Sequence, residues 1–186
     1  MPSRRAALAA LGTATTLSLA GCLDVTHAPG PYCQLKTVMV EWTHDGQRYR
    51  DDAGRTAGYP AIDGDDGEAR GFVAAELPPL ASGPRDLTVD EDTASLLERR
   101  FDTVDYLLGF CGDAFDPCRN TRVASREGFN RVQVGDRARV TLSDHTFHVH
   151  SVDGADPRAV ADWETEFSTY DFSEIHEEHG EPLGER

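Results

Sequence analysis

One short stretch commits this chain to a sheet before anything else is considered. Across residues 35–43 β-branched and apolar side chains dominate, and Val38, Val40 and Trp42 fall on one alternating face. A period of two sends successive side chains to opposite sides, which suits a strand and not a helix. His44-Asp45-Gly46 follows as a turn and residues 47–50 return. The spacing predicts an antiparallel hairpin.

A second alternation lies at residues 137–142, where Ala138, Val140 and Leu142 interleave with Arg137, Arg139 and Thr141. Ser143-Asp144 turns the chain there, and residues 145–152 are the expected partner strand. Residues 72–77 read as a shorter strand closed by Pro78 and Pro79. The clearest helix signal begins with Thr88 and Glu91, a capping-box pair, with Asp90, Glu91 and Asp92 at its positive end. Ala94, Leu97, Phe101, Val104 and Leu108 then form one apolar stripe, and Gly109 is a fitting stop. Ser125 caps a short turn into Phe129, and Asp156-Pro157 opens a candidate second helix carrying Val160, Trp163 and Phe167.

The Gly- and Asp-rich residues 51–71 read as a solvated loop. Asp63, Asp65 and Asp66 lie in it, but Gly67 and Ala74 stand where an EF-hand needs acidic ligands. The expectation is therefore an α+β fold: a small antiparallel sheet with one long packing helix and a candidate second one near the C-terminus. It assigns residues 33–170 to a single domain, 22–32 to a tether and 171–186 to a mobile acidic tail.

Charge narrows the function. Thirty-three acidic residues face 18 basic ones, and Lys36 is the only lysine. No basic stripe exists to neutralise phosphates, which argues against nucleic acid as a partner. Abundant Asp, scarce Lys and a pI near 4.7 resemble the proteins of salt-loving archaea.

The first 22 residues read as an export signal. Ser3-Arg4-Arg5, with Leu8 close behind, resembles the twin-arginine motif and precedes an uncharged run. That run ends in Leu19-Ala20-Gly21-Cys22, which resembles a lipobox and makes Cys22 the lipidated residue, with 1–21 as the removable signal. The uncharged stretch is shorter than the ~20 residues a membrane span requires. Together these features resemble exported, membrane-anchored lipoproteins of halophilic archaea with no assigned activity. The resemblance implies a partner in the lipid membrane and a place on its extracytoplasmic face.

Three cysteines then remain. Cys111 and Cys118 flank a turn-prone hexapeptide and are the expected disulfide, although Cys33 could replace either of them. Among histidines, His145, His148 and His150 form the candidate metal set. On a strand His148 and His150 share one face and could converge on copper or zinc. The stretch resembles copper-binding strands of cupredoxin-like oxidases, but no Cys follows Cys118 to supply their downstream ligand. The competing reading makes Phe147 and Val149 the core side and leaves the histidines in solvent. His176 and His179, three apart in an acidic segment, do not match the zinc-protease spacing.

Nucleophile elbows and phosphate-cradling loops are missing from the sequence. The expected activity is a non-enzymatic structural or partner-binding module that needs no cofactor; the alternative is a copper- or zinc-binding lipoprotein.

Overall fold

The computed structural model describes residues 30–59, 67–77, 79–155 and 160–183. Twin-arginine signal, lipobox and Cys22 lie outside these residues, as do Asp63, Asp65, Asp66 and the Asp156-Pro157 pair. Strand dominates helix, 52% to 18%, in one mixed eight-stranded sheet. The α+β expectation of a small sheet under a long helix is thereby overturned.

The hairpin stands as β1 (Tyr32–His44) and β2 (Gln47–Tyr59), joined by Asp45 and Gly46 at φ 48° and 76°. Two successive residues in the left-handed region make the turn whose twist matches paired strands. β2 takes up the expected solvated loop from Asp51 to Tyr59. Gly54 and Gly58 lie in it where neighbours come close: a Cβ on Gly58 would sit 2.2 Å from Val134 and 2.6 Å from the Trp163 ring. Those glycines are contact points in a strand, not signs of a loop. β3 (Glu68–Ala74) pairs antiparallel with β2.

The helix α1 (Glu91–Arg100) stops well short of Leu108. Its cap is Asp90, whose carboxylate accepts from the Thr93 amide at 2.7 Å, rather than Thr88. Hydrogen bonding to Thr93 holds the Asp90 carboxyl below its usual range. Beyond Phe101 the chain extends into β4 (Thr103–Gly112), running between β1 and β5 (Phe115–Val123). Val104 and Leu108 are four apart, an even number, so they share a strand face as readily as a helix face. The short helix α2 (Arg126–Arg131) is capped by Ser125. β6 (Arg137–Ser143) and β7 (Thr146–Gly154) turn at Asp144 and His145, φ 47° and 59°. His145 is therefore a turn residue, one position outside β7.

Where a second helix was expected to carry Phe167, the chain forms β8 (Glu164–Tyr170), parallel to β3 at the sheet's outer edge. Its Thr, Phe and Tyr suit a pleated surface. Instead of a mobile tail, α3 (Phe172–Glu178) follows, with Phe172 1% and His176 5% exposed. The Glu76 carboxylate accepts from the Phe172 and Ser173 amides at 3.1 and 2.8 Å, completing the start of this helix. Among the described residues no helix is long and apolar enough to cross a membrane.

The strands divide into two regions that share β1. Five strands close the circuit β1-β4-β5-β7-β6 and back to β1. Two seams are thin: a two-residue parallel contact of β5 with β7, and one register pair between Tyr32 and Arg137. Such a partly open five-stranded barrel is the layout of OB-type folds. From Leu35 onward the β6-side edge of β1 belongs instead to β2, and the sheet runs out through β3 to β8.

Lys36 locks the barrel. It is fully buried, and Nζ donates to the carbonyls of Leu87 (2.7 Å), Phe129 (2.9 Å) and Val132 (2.5 Å). The last two are carbonyls at the end of α2, where a cation is favoured. Phe129 also lies under the ammonium, 4.3 Å from ring centre to Nζ. Burial pulls Lys36 down to about 8, while Cys33, Asp136 and Asp86 act in the opposite sense.

Candidate functional site

The expected site residues are spread over the molecule. The sulfurs of Cys111 and Cys118 are bonded to each other, closing the loop between β4 and β5. Cys33 is a free, buried thiol, and burial pushes it up to about 12, with Lys36 opposing. Such a protonated thiol is a poor nucleophile and a poor metal ligand.

His148 and His150 do share the outer barrel face. Each is already engaged: His148 Nε2 lies 3.1 Å from the Ser143 hydroxyl and His150 Nε2 lies 3.0 Å from that of Thr141. Arg139 beside them donates to Ser151 at 3.0 Å. Cross-strand pairs of this kind stabilise a sheet surface without any ligand. Among the described residues no group of three or more His, Cys, Asp or Glu is gathered for a metal ion.

His176, read from the sequence as part of a tail, is instead held in a cage. Its ring lies edge-on to Trp42, 4.6 Å between centroids, and 4.4 Å from Phe172. Nε2 faces the Asp51 carboxylate and Nδ1 that of Glu181, both at 3.1 Å. A ring carrying both protons donates to both carboxylates. The contact ties β2, α3 and the residues after α3 together. Trp42 Nε1 donates to the Glu181 carbonyl at 3.2 Å and strengthens the same seam.

A run of concave surface lies along the outer face of β2, β3 and β8. Register sets its side chains in rows: Tyr59, Glu68 and Glu164; then Ala57, Arg70 and Glu166; then Arg55, Phe72 and Ser168. Three concavities of about 80, 220 and 310 Å³ follow one another along these rows, sharing Arg70, Phe72, Glu166 and Ser168. The last ends against Asp51, Tyr170 and Ile175, so α3 supplies one wall. At ~3.4 Å per residue, the run from the first row to Tyr170 is roughly 20 Å.

Aromatic rings and opposed charges share this groove. Phe72 and Tyr170 meet edge to face, centroids 5.5 Å apart. Tyr59 at the other end is 43% exposed. Arg70 pairs with Glu68 at 2.8 Å and Glu166 at 3.8 Å, and Arg55 with Asp52 at 3.4 Å. Exposed pairs like these add little stability. They do hold donors and acceptors at set positions beside the rings. Tyr170 donates its hydroxyl to the Asp52 carbonyl, and burial, aided by Asp51, Asp52 and Glu76, raises its pKa. Asp52 is itself raised by burial, against the pull of Arg55.

Sequence reasoning missed this groove because it read residues 51–71 as loop and Phe167 as helical. The alternation Arg70, Phe72 and the Thr-rich residues 164–170 were the available signals. No family model matches the chain, and no curated protein or solved structure matches it either.

Proposed function

We propose that this chain is a lipoprotein exported by the twin-arginine route, anchored through Cys22 on the outer side of the cell membrane. There it acts as a non-enzymatic binding module. The groove on the outer face of β2, β3 and β8 takes the partner, and the barrel is its rigid mount. The observation that carries this reading is the continuity of three concavities along one sheet face, with Phe72 and Tyr170 at one end. The groove's guanidinium groups are paired with carboxylates, which suits holding a ligand more than moving protons.

The tether fits this reading. Gly30 stands eight positions after Cys22, a reach of at most about 28 Å. Because β2 runs antiparallel to β1, the Tyr59 end of the groove lies toward the tether and the Asp51 end away from it. A stable anchor requires more than one lipid chain.

The test is co-sedimentation of the full chain, in detergent, with washed envelopes of its own cells. The module reading expects binding that is lost in the double variant Arg70→Ala/Phe72→Ala and kept in Leu142→Ala, an exposed leucine on the barrel. Equal binding by all three proteins, or none by the parent, removes the reading.

A further inference from the structure

Resting on the module reading above, the geometry points to a neutral, polyhydroxylated ligand for the groove: an oligosaccharide segment of the cell envelope. Three observations narrow the chemistry. First, β2 and β3, the interior strands of the floor, spend their main-chain groups on pairing with β1, with β8 and with each other. An extended peptide docks by adding main-chain hydrogen bonds at a sheet edge; the free edge of β8 lies beside this floor, and a ligand seated on the floor itself finds no main-chain partner there. The ligand must bring its own polar groups to side chains.

Second, both guanidinium groups of the groove already have carboxylate partners. Arg70 lies between Glu68 and Glu166, and Arg55 beside Asp52. A polyanion would meet Glu68, Glu164, Glu166 and Asp51 along the groove, and a polycation would meet the two guanidinium groups. A ligand without net charge meets neither penalty, and its hydroxyls can both accept from the Arg N–H groups and donate to the carboxylates.

Third, the apolar surface is aromatic and interrupted. Phe72 and Tyr170 offer ring area at one end and Tyr59 at the other, with Ala57 keeping the floor low between them. A pyranose has one face of C–H bonds and a rim of hydroxyls, matching rings set among charged pairs. The roughly 20 Å run fits a chain of several sugars better than a single one.

The experiment treats the washed envelopes before adding the full chain, held in a detergent without a sugar headgroup. Periodate, which cleaves vicinal diols, is expected to abolish binding, and protease digestion to leave it. Soluble cellohexaose, maltohexaose, mannohexaose and xylohexaose are then titrated by calorimetry. At least one is expected to bind and compete with envelopes, with Phe72→Ala weakening it about tenfold. Because Phe72→Ala could disturb β3, Glu166→Gln and Arg55→Ala serve as exposed variants, each also expected to weaken binding. Loss of envelope binding to protease but not to periodate overturns the oligosaccharide assignment and leaves the module reading standing. Binding that is indifferent to every groove variant overturns both. Competition by polygalacturonate but by none of the neutral hexasaccharides overturns the neutral-ligand assignment.

Discussion

The two regions hanging on β1 use the same kind of strand for opposite ends. In the barrel, inward residues such as Val38, Leu108, Phe110, Ala138 and Phe147 are completely buried, and a buried ammonium collects the loose carbonyls of α2. In the outer sheet one face is covered, by Val73, Leu80 and Leu87 among others, and the other carries rings and ion pairs. A closed circuit hides its edges, whereas the outer sheet ends in β8 with an edge that pairs with no other strand of the sheet. The difference teaches that stability and recognition are separated here. Burial is concentrated where the circuit closes, and accessible chemistry where it does not.

The sharpest way to break that comparison is at Lys36. Lys36→Met keeps the apolar stem but removes the ammonium donor shared by three carbonyls, leaving that of Val132 without it, and is expected to cost about 3 kcal/mol or more in urea unfolding. A loss under about 1 kcal/mol would mean the ammonium is not what closes the barrel. Next comes Gly58→Ala, where the added methyl collides with Val134 and the Trp163 ring. An expected cost of about 1–3 kcal/mol should come with altered Trp fluorescence.

Cys33 gives a pH signature. Its folded pKa is raised to about 12 by burial, while an unfolded thiol titrates near 9.0. Below that value both states hold the proton and the contribution is intact; as pH rises toward 12 the unfolded state releases it first and stability falls. By pH 10 the expected loss is about 1 kcal/mol, and Cys33→Ala should flatten that part of the curve. Lys36 opposes it: with a folded value of about 8, it favours the folded state as pH climbs above that point. Hence the readout is the difference between parent and variant.

Smallest in stability are the groove variants. Arg70→Ala should move unfolding by less than about 0.5 kcal/mol, since its ion pairs are exposed. The alternative metal reading is checked alongside. Native mass spectrometry with zinc or copper is expected to show no ion that disappears in His148→Ala/His150→Ala. A stoichiometric ion lost in that variant would move the functional site onto the barrel face.

Much of the local structure was legible in the sequence. The β1–β2 hairpin, the strand at Ala138 and Val140, and the Ser125 cap all follow from periodicity and turn chemistry. What misled was ambiguity that local pattern cannot resolve. Val104 and Leu108 satisfy both a helix and a strand period, and only pairing with β1 on one side and β5 on the other decides for the strand. Gly54, Gly58 and Gly71 looked like loop residues because the bodies they make room for, Leu80, Trp163 and Phe167, come from distant segments. The acidic C-terminal residues looked mobile because the partners of Phe172 and His176, namely Trp42 and Asp51, lie far back in the chain. For the site, sequence pointed to His145, His148 and His150, whereas the groove is assembled by β3–β8 pairing that no local window contains.

The central claim is that the outer face of β2, β3 and β8 is the working surface and the barrel its mount. Amide hydrogen exchange of the full chain, free and bound to washed envelopes, tests it most directly. Added protection is expected in peptides covering residues 68–74 and 164–178, with the barrel strands β5, β6 and β7 unchanged. Protection that falls instead on β6 and β7, around His148 and His150, would contradict the account.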